Sequence, residues 1–526
     1  MFFSTLTQRF TFCLPVLLLG ASATAYAQIQ GAPQGSSTRA AQLPLSGRSA
    51  PGTTVRQSAA PSPGSSVNTL NPQVQVQGAY SGSIPGKDNP QGVLTQGVLT
   101  LTLADAVQRG IATNLGIVGA DASALQARAQ KLQARSALLP NISASVAENA
   151  AKVDLAAEGF SANAFGSSSL SFAFPTTVGP FHYYDVHGSL QQSLLDFTAI
   201  HNLRSANQSE NAAALDARQA REEVVLTVAG LYLQLMASLA EMEQQQVEVQ
   251  YAEASYRQAQ AQADAGNKAP IEANRSLVEL QTEKQRLRSQ RGDVEKQKNQ
   301  LARVIGLPLG LDIQLAEKLD ALRAANPSVE DAIRRSWAQR QDLKSAEAQL
   351  RAAEEARKAA GAERLPSASV NGQYGLQGTN PDHGAGVFQA SASLSIPIFQ
   401  GGRIHADTVQ ADAAVTQRKA ELADQRGAVE MDVRNACIDL SVANDQVATA
   451  VSNRSLALQN LQQSQDRFSV GVADSVEVVN SQESLAAANR DYVNSLFSQY
   501  LATLTLAHAA GEAEKTLADL FQRNQP

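Results

Sequence analysis

Asp105-Ala106-Val107 reappears as Asp331-Ala332-Ile333, and Leu139-Pro140 as Leu365-Pro366, both at a spacing of 226 residues (105 to 331) without a gap. Farther along, the chain matches itself at a spacing of 205 (223 to 428). There Glu223-Val224 aligns with Ala428-Val429, Leu235 with Leu440, Gly266 with Gly471, Ile271-Glu272 with Val476-Glu477, Ser276 with Ser481 and Gly306 with Gly511. Self-similarity of this kind encodes one structural unit twice. The change from 226 to 205 places 21 extra residues in the first copy, between Pro140 and about Asp196.

Both copies read in the same order. Leu103, Ala106, Val107 and Ile111 fall at helical spacing. The helix that starts there runs for about 35 residues and stops before Pro140, or Pro366 in the second copy, because proline lacks a donor and disfavours helix in the residue before it. Alternating strands follow at 141–148 (Ile142, Ala144, Val146) and 367–376 (Ala368, Val370, Tyr374), then again at 187–195 and 389–398. Each copy thus contributes one β-hairpin. Next come unbroken helical stretches at 198–265 and 403–470, each of 68 residues and therefore roughly 100 Å long. Gly266-Asn267-Lys268-Ala269-Pro270 and Gly471-Val472-Ala473-Asp474 carry turn chemistry, after which shorter helices return to Ile305 and Ala510. The long rod is a helical hairpin, present twice.

The N-terminus predicts export. Arg9 precedes the apolar run Phe10-Thr11-Phe12-Cys13-Leu14-Pro15-Val16-Leu17-Leu18-Leu19, and Ala25-Tyr26-Ala27 precedes Gln28, the layout of a signal peptide cleaved after Ala27. Cys13 leaves with that segment, so Cys437 remains alone and no intrachain disulfide forms. Gln28 stands where a lipid-anchored chain needs cysteine. Residues 28–98, rich in Gly, Pro, Ser and Gln, have too little periodic hydrophobicity to offset their ordering entropy and are expected to form a disordered tether. The boundaries that follow are 99–310 for the first copy, 311–327 for a linker, 328–515 for the second copy and 516–526 for a tail. The formal charge of -6 becomes -7 without Arg9 and is spread over both signs, leaving no footprint for nucleic acid. The basic stretch 284–303 is interrupted by Asp293 and Glu295 and suits a solvated helix face.

An uncharged run at 224–240 is long enough to raise the question of a membrane helix. Its counterpart carries Glu430, Asp432, Arg434 and Asp439, so the same structural position accepts charge, and a buried helix is the better expectation. Four amphipathic strands, by contrast, leave two unpaired edges that a bilayer does not tolerate. Rods of this length with a narrow apolar stripe also need neighbours. Both elements therefore demand a symmetric oligomer in which several chains close one barrel.

Four stretches, in this order and setting, carry a resemblance to the TolC-like outer-membrane efflux proteins. They are Leu101-Thr102-Leu103-Ala104-Asp105-Ala106, Ala137-Leu138-Leu139-Pro140, Ile396-Pro397-Ile398-Phe399-Gln400-Gly401-Gly402 and Arg467-Phe468-Ser469-Val470-Gly471. The resemblance spans about residues 100–515 and implies an α + β membrane protein. Three chains would form a trimeric twelve-stranded β-barrel in the outer membrane, continued by a long periplasmic α-helical barrel. It further implies an exit duct for efflux or type I secretion. The duct would work with a periplasmic adaptor and an inner-membrane transporter of the RND, ABC or MFS class. The adaptor-binding tips would be Ala265, Gly266, Asn267, Val470, Gly471 and Val472, and the periplasmic gate Glu272 and Glu477. Asn480 stands where a second acid is common. The glycines also suit helix capping alone, and Glu477 also suits an ordinary first-turn carboxylate.

No catalytic, cofactor or metal constellation accompanies these features. Gly86-Lys87 lacks the rest of a phosphate loop, and His182 and His187 have no nearby cysteine or carboxylate cluster in the sequence. Cys437 aligns with Tyr232 and reads as a packed small residue. The competing class is a periplasmic coiled-coil adaptor, which should carry a small barrel domain between its helices where this chain has single hairpins.

Overall fold

The computed structural model describes residues 80–84, 98–154, 157, 176–266, 269–317, 319, 321–322, 327–380, 382–470, 472–473 and 475–516. The elements follow in the order β1 (Leu99–Leu101), α1 (Leu103–Thr113), α2 (Leu115–Ser136), β2 (Asn141–Asp154), β3 (Thr177–Leu195), α3 (Phe197–Asp264) and α4 (Pro270–Val304). They continue with β4 (Ile313–Leu315), α5 (Val329–Gln339), α6 (Gln341–Ala362), β5 (Ser367–Gly378), β6 (Ala385–Ser395), α7 (Arg403–Ser469) and α8 (Ser475–Ala509). The two rods, of 68 and 67 residues, lie within a residue of the expected bounds.

Three elements differ from expectation. The single opening helix of each copy is broken in two, at Asn114 and at Arg340, where both residues adopt extended ψ values of 132° and 128°. The region 311–327 holds β4, which pairs in parallel with β1 through Leu99↔Ile313 and Leu101↔Leu315. The extra residues of the first copy are partly strand, because β2 and β3 have 14 and 19 residues where β5 and β6 have 12 and 11. Phe181 is in β3.

Most of the expected tether also lies outside the described residues, but residues 80–84 are packed onto the first copy. Leu115 N donates to Gly82 O, Ile84 N to Thr113 O, and Asn114 Nδ2 to Tyr80 O at 2.9 Å. The Tyr80 ring fills the space that a Cβ on Gly116 would need. Asn114 is fully buried and also caps α2 through Gly116 N at 2.8 Å. Asn114→Ala should cost about 1–3 kcal/mol in thermal or urea unfolding, since it removes a cap and leaves the Tyr80 carbonyl without its donor.

The main core sits midway along α3. Val224, Val228, Tyr232, Leu233 and Leu235 are fully buried against α1, β1, β4, the end of α4 and α8. This apolar stretch makes α3 the one helix among the described residues long and apolar enough to cross a membrane, and its burial accounts for the composition instead. Tyr232 Oη donates to Leu101 O at 3.0 Å and to the Glu317 carboxylate, which also accepts Leu103 N at 3.2 Å. The small sheet is thereby tied to the rod.

The contact pattern gives a lateral order. On one side of this core the helices lie α2, α3, α6, α7, and on the other α4, α3, α8, α7. The large antiparallel sheet has the order β2-β3-β5-β6. Helices and sheet therefore end on the same two margins: α2, α4 and β2 on one, α7 and β6 on the other.

Candidate functional site: docking tips, gate and pore wall

At the first tip, α3 ends on Ala265, and Gly266 turns the chain with φ +74°. A Cβ there meets no atom within 4 Å, so the positive φ alone accounts for the glycine. Pro270 opens α4, with Glu272 in its first turn bonded to Arg275 at 2.9 Å. Asn267 lies outside the described residues.

The second tip lies between α7 and α8. Val472 N and Ala473 N both donate to Arg467 O, at 2.9 and 3.2 Å, satisfying one of the last carbonyls of α7. Val470 and Val472 are 73% and 69% exposed, an unusual state for valine at a turn. Gly471 lies outside the described residues. Glu477, in the first turn of α8, is 3.2 Å from Arg467 near the end of α7. Both candidate gate acids therefore have an arginine partner on their own hairpin. The pairing of Glu477 is not legible in the sequence, although Arg467 opens the stretch Arg467-Phe468-Ser469-Val470-Gly471. The antiparallel return brings Arg467 to Glu477, a contact that spacing along one helix does not display.

Higher up, Glu248 of α3 and Glu283 of α4 are both buried where α3, α4 and α8 meet. Burial and the neighbouring Glu283 push Glu248 up to about 7, against a favourable bond from Asn489. Gln245 and Arg286 both donate to Glu283. An acid whose folded pKa is raised binds a proton in the folded state that the unfolded state has released, so stability falls as pH rises from about 4.5 to about 7. Glu248→Gln should flatten that part of a stability-against-pH curve. An unchanged slope would place the proton elsewhere.

The sheet separates its side chains by chemistry. Register places Ile142, Val146, Val186, Leu190, Leu376, Tyr374, Phe388 and Leu394 on one face. Ser143, Ser145, Ser189, Gln191, Asn371, Gln373, Ser391 and Ser393 share the other. Ile142, Val146, Tyr374, Phe388 and Leu394 are all exposed. A strongly apolar exposed face backed by a polar one is the pattern of a wall between lipid and water. His182 falls on the apolar side, 3.8 Å from Glu148, while His187 falls on the polar side, bonded to Asp185 at 3.0 Å. The alternation holds the two histidines apart, and no metal-ligating cluster occurs among the described residues. Burial raises the Cys437 thiol, with Glu330 adding to it and Arg335 opposing, which leaves it a poor nucleophile.

Comparison with known proteins agrees with this geometry. No individually curated protein sequence matches the chain. Among solved structures, the Campylobacter jejuni CmeC outer membrane channel is 16% identical, with a TM-score of 0.68 over 86% of this chain and 98% of that one. The Neisseria gonorrhoeae MtrE outer membrane channel, in its open state, is 18% identical, with a TM-score of 0.64 over 78% and 89%. The outer-membrane channel OprN is 18% identical, with a TM-score of 0.67 over 78% and 90%. Likeness at that identity establishes the fold, and the sequence match establishes more. The outer membrane efflux protein family matches residues 106–307 and 332–512, and the chain, with its duplicated rods and two-faced sheet, belongs to that family.

Proposed function

We propose that three copies of this chain close into one pore, the outer-membrane exit duct of an efflux or secretion assembly. The observation that carries this is the coincidence of margins. A threefold operation that joins β6 to the next copy's β2 also brings α7 to the next copy's α2 and α4. The exposed apolar residues Met431, Ile438 and Val442 on α7, Leu125 and Leu132 on α2, and Val278 on α4 supply surface for such a seam. Twelve strands then leave no edge in the bilayer, and twelve helical strands enclose the periplasmic tunnel. The protein acts as a passive conduit. An inner-membrane transporter of the RND, ABC or MFS class supplies the driving force, and a periplasmic adaptor docks at the tips. Native mass in detergent should correspond to a trimer, and a monomer that still conducts ions would end this reading.

Glu477 and Glu272, repeated threefold at the periplasmic entrance, make a ring of carboxylates tempered by Arg467 and Arg275. Such a ring favours cations over anions. In a planar bilayer, Glu477→Gln should reduce cation selectivity and weaken block by multivalent cations added from the periplasmic side. Unchanged selectivity and block would reduce Glu477 to a first-turn carboxylate stabilised by the helix dipole.

A further inference from the structure

The polar face of β3 is not uniform. Serine and glutamine occupy its lower part, but its upper part presents His187, Asp185, Tyr183 and Phe181 at successive inward positions. The Phe181 and Tyr183 rings stack with centroids 6.1 Å apart and planes at 29°. The Asp185 carboxylate accepts a hydrogen bond from His187 Nδ1 at 3.0 Å, and Ser145 Oγ lies 3.1 Å from His187 Nε2. The imidazole has room because Gly375 stands opposite on β5. A Cβ there would come within 2.6 Å of the His187 Cβ. Below the register shift at Ala151, Asp185 carries the one formal negative charge on this face among the described residues. The opposite, apolar face reaches its first charged pair, Glu148 and His182, at the same height. The strip therefore lies at the outer end of the lipid-facing band.

Two aromatic faces next to a carboxylate recognise a particular chemistry. Aromatic rings attract a cation through their quadrupole, most strongly one that is weakly hydrated, and the carboxylate adds charge attraction. An anion is repelled. A metal ion would find one carboxylate and one imidazole per copy, too few ligands to be held. Resting on the reading that this face lines the pore, we propose that Phe181, Tyr183 and Asp185 form a binding strip for bulky organic cations at the outer mouth, one strip per copy. Asp185 attracts the charge, the two rings cover the apolar body, and His187 positions the carboxylate. The strip gives such a cargo a last shallow stop before release.

The test is single-channel recording of the purified protein in a planar bilayer, with tetraphenylphosphonium added from the extracellular side. Wild type should show concentration-dependent block. Asp185→Asn should raise the half-blocking concentration about tenfold, and Tyr183→Leu severalfold, with the unblocked conductance retained. Magnesium at equal concentration should block far less, because a hydrated ion gains little from the rings. Unchanged block in both variants, or absence of block in a conducting wild type, would overturn the strip while leaving the channel reading in place. A wild type that does not conduct would overturn both.

Discussion

Arg340→Met is expected to destabilise the folded chain by about 2 kcal/mol, because it removes the buried cation shared by the half-buried Asp342 and the exposed Asp432. Arg340 is 7% exposed at the break between α5 and α6. Its Nε and Nη2 fork onto both oxygens of Asp342 at 3.1 and 2.6 Å, and Nη1 reaches Asp432 of α7 at 3.0 Å. Gln425 and Leu343 N complete the bonds to Asp342. Burial alone would raise the Asp342 carboxyl, but the bond and charge of Arg340 outweigh it and hold the group below its ordinary 3.8. A depressed acid contributes stability above its unfolded pKa and loses it as pH falls through the folded value. The variant should therefore lose stability at neutral pH and show less further loss below pH 3.8 than wild type. Thermal or urea unfolding in detergent measures both. Replacing Arg340, Asp342 and Asp432 together by apolar residues should recover much of the loss, since the half-buried Asp342 left without its cation is what makes the single change costly. A loss under about 1 kcal/mol would show that water already serves this junction.

Val472→Asp is expected to abolish transport while leaving the trimer intact. Val472 is 69% exposed at the second tip and makes its defined bond through the backbone, to Arg467 O, which aspartate preserves. Folding therefore has little reason to change. A partner docked over Val470 and Val472, however, would bury an unpaired carboxylate at a cost of roughly 3 kcal/mol, more than a hundredfold in affinity. Efflux measured in cells expressing the variant should fall to background, while outer-membrane abundance and native mass stay at wild-type levels. Full transport by Val472→Asp would remove the second tip from the docking surface.

The parts of this fold that were legible in the sequence are those whose signal is long and repeated. The rods and the hairpins registered because periodicity accumulates over many residues, and because each pattern occurs twice. Pro140 and Pro366 fixed where helix gives way to strand. The breaks at Asn114 and Arg340 were not legible, since apolar spacing continues through both; Gly110, Gly116 and Gly119 flank the first without standing at it, and no proline or glycine lies near the second. Tertiary partners decide them, Tyr80 in one copy and Asp432 in the other. The strands β1 and β4 were missed because three residues carry no usable period. At the tips, Gly266 was readable as a turn, whereas the pairing of Glu477 with Arg467 depends on the hairpin closing. The strip on β3 was hidden for a different reason. Phe181, Tyr183, Asp185 and His187 become neighbours only once the strand's two faces are assigned, and the strand extends ten residues before the expected start at 187.

The lateral order of the helices also bears on how the chain is assembled. The two halves of the sequence are copies, yet neither is a folding unit. α3 of the first lies against α6 and α8 of the second, with Ser205 Oγ bonded to Ala352 O at 2.8 Å and His201 to Glu355 at 2.8 Å. β3 pairs with β5 across the same divide. These contacts join residues about 150 positions apart, and closing such separations costs entropy before any contact compensates. The first half therefore emerges during export with the sides of α3 that face α6 and α8 uncovered, and they stay so until the second half arrives. Expressed alone, either half should aggregate rather than form half a protomer.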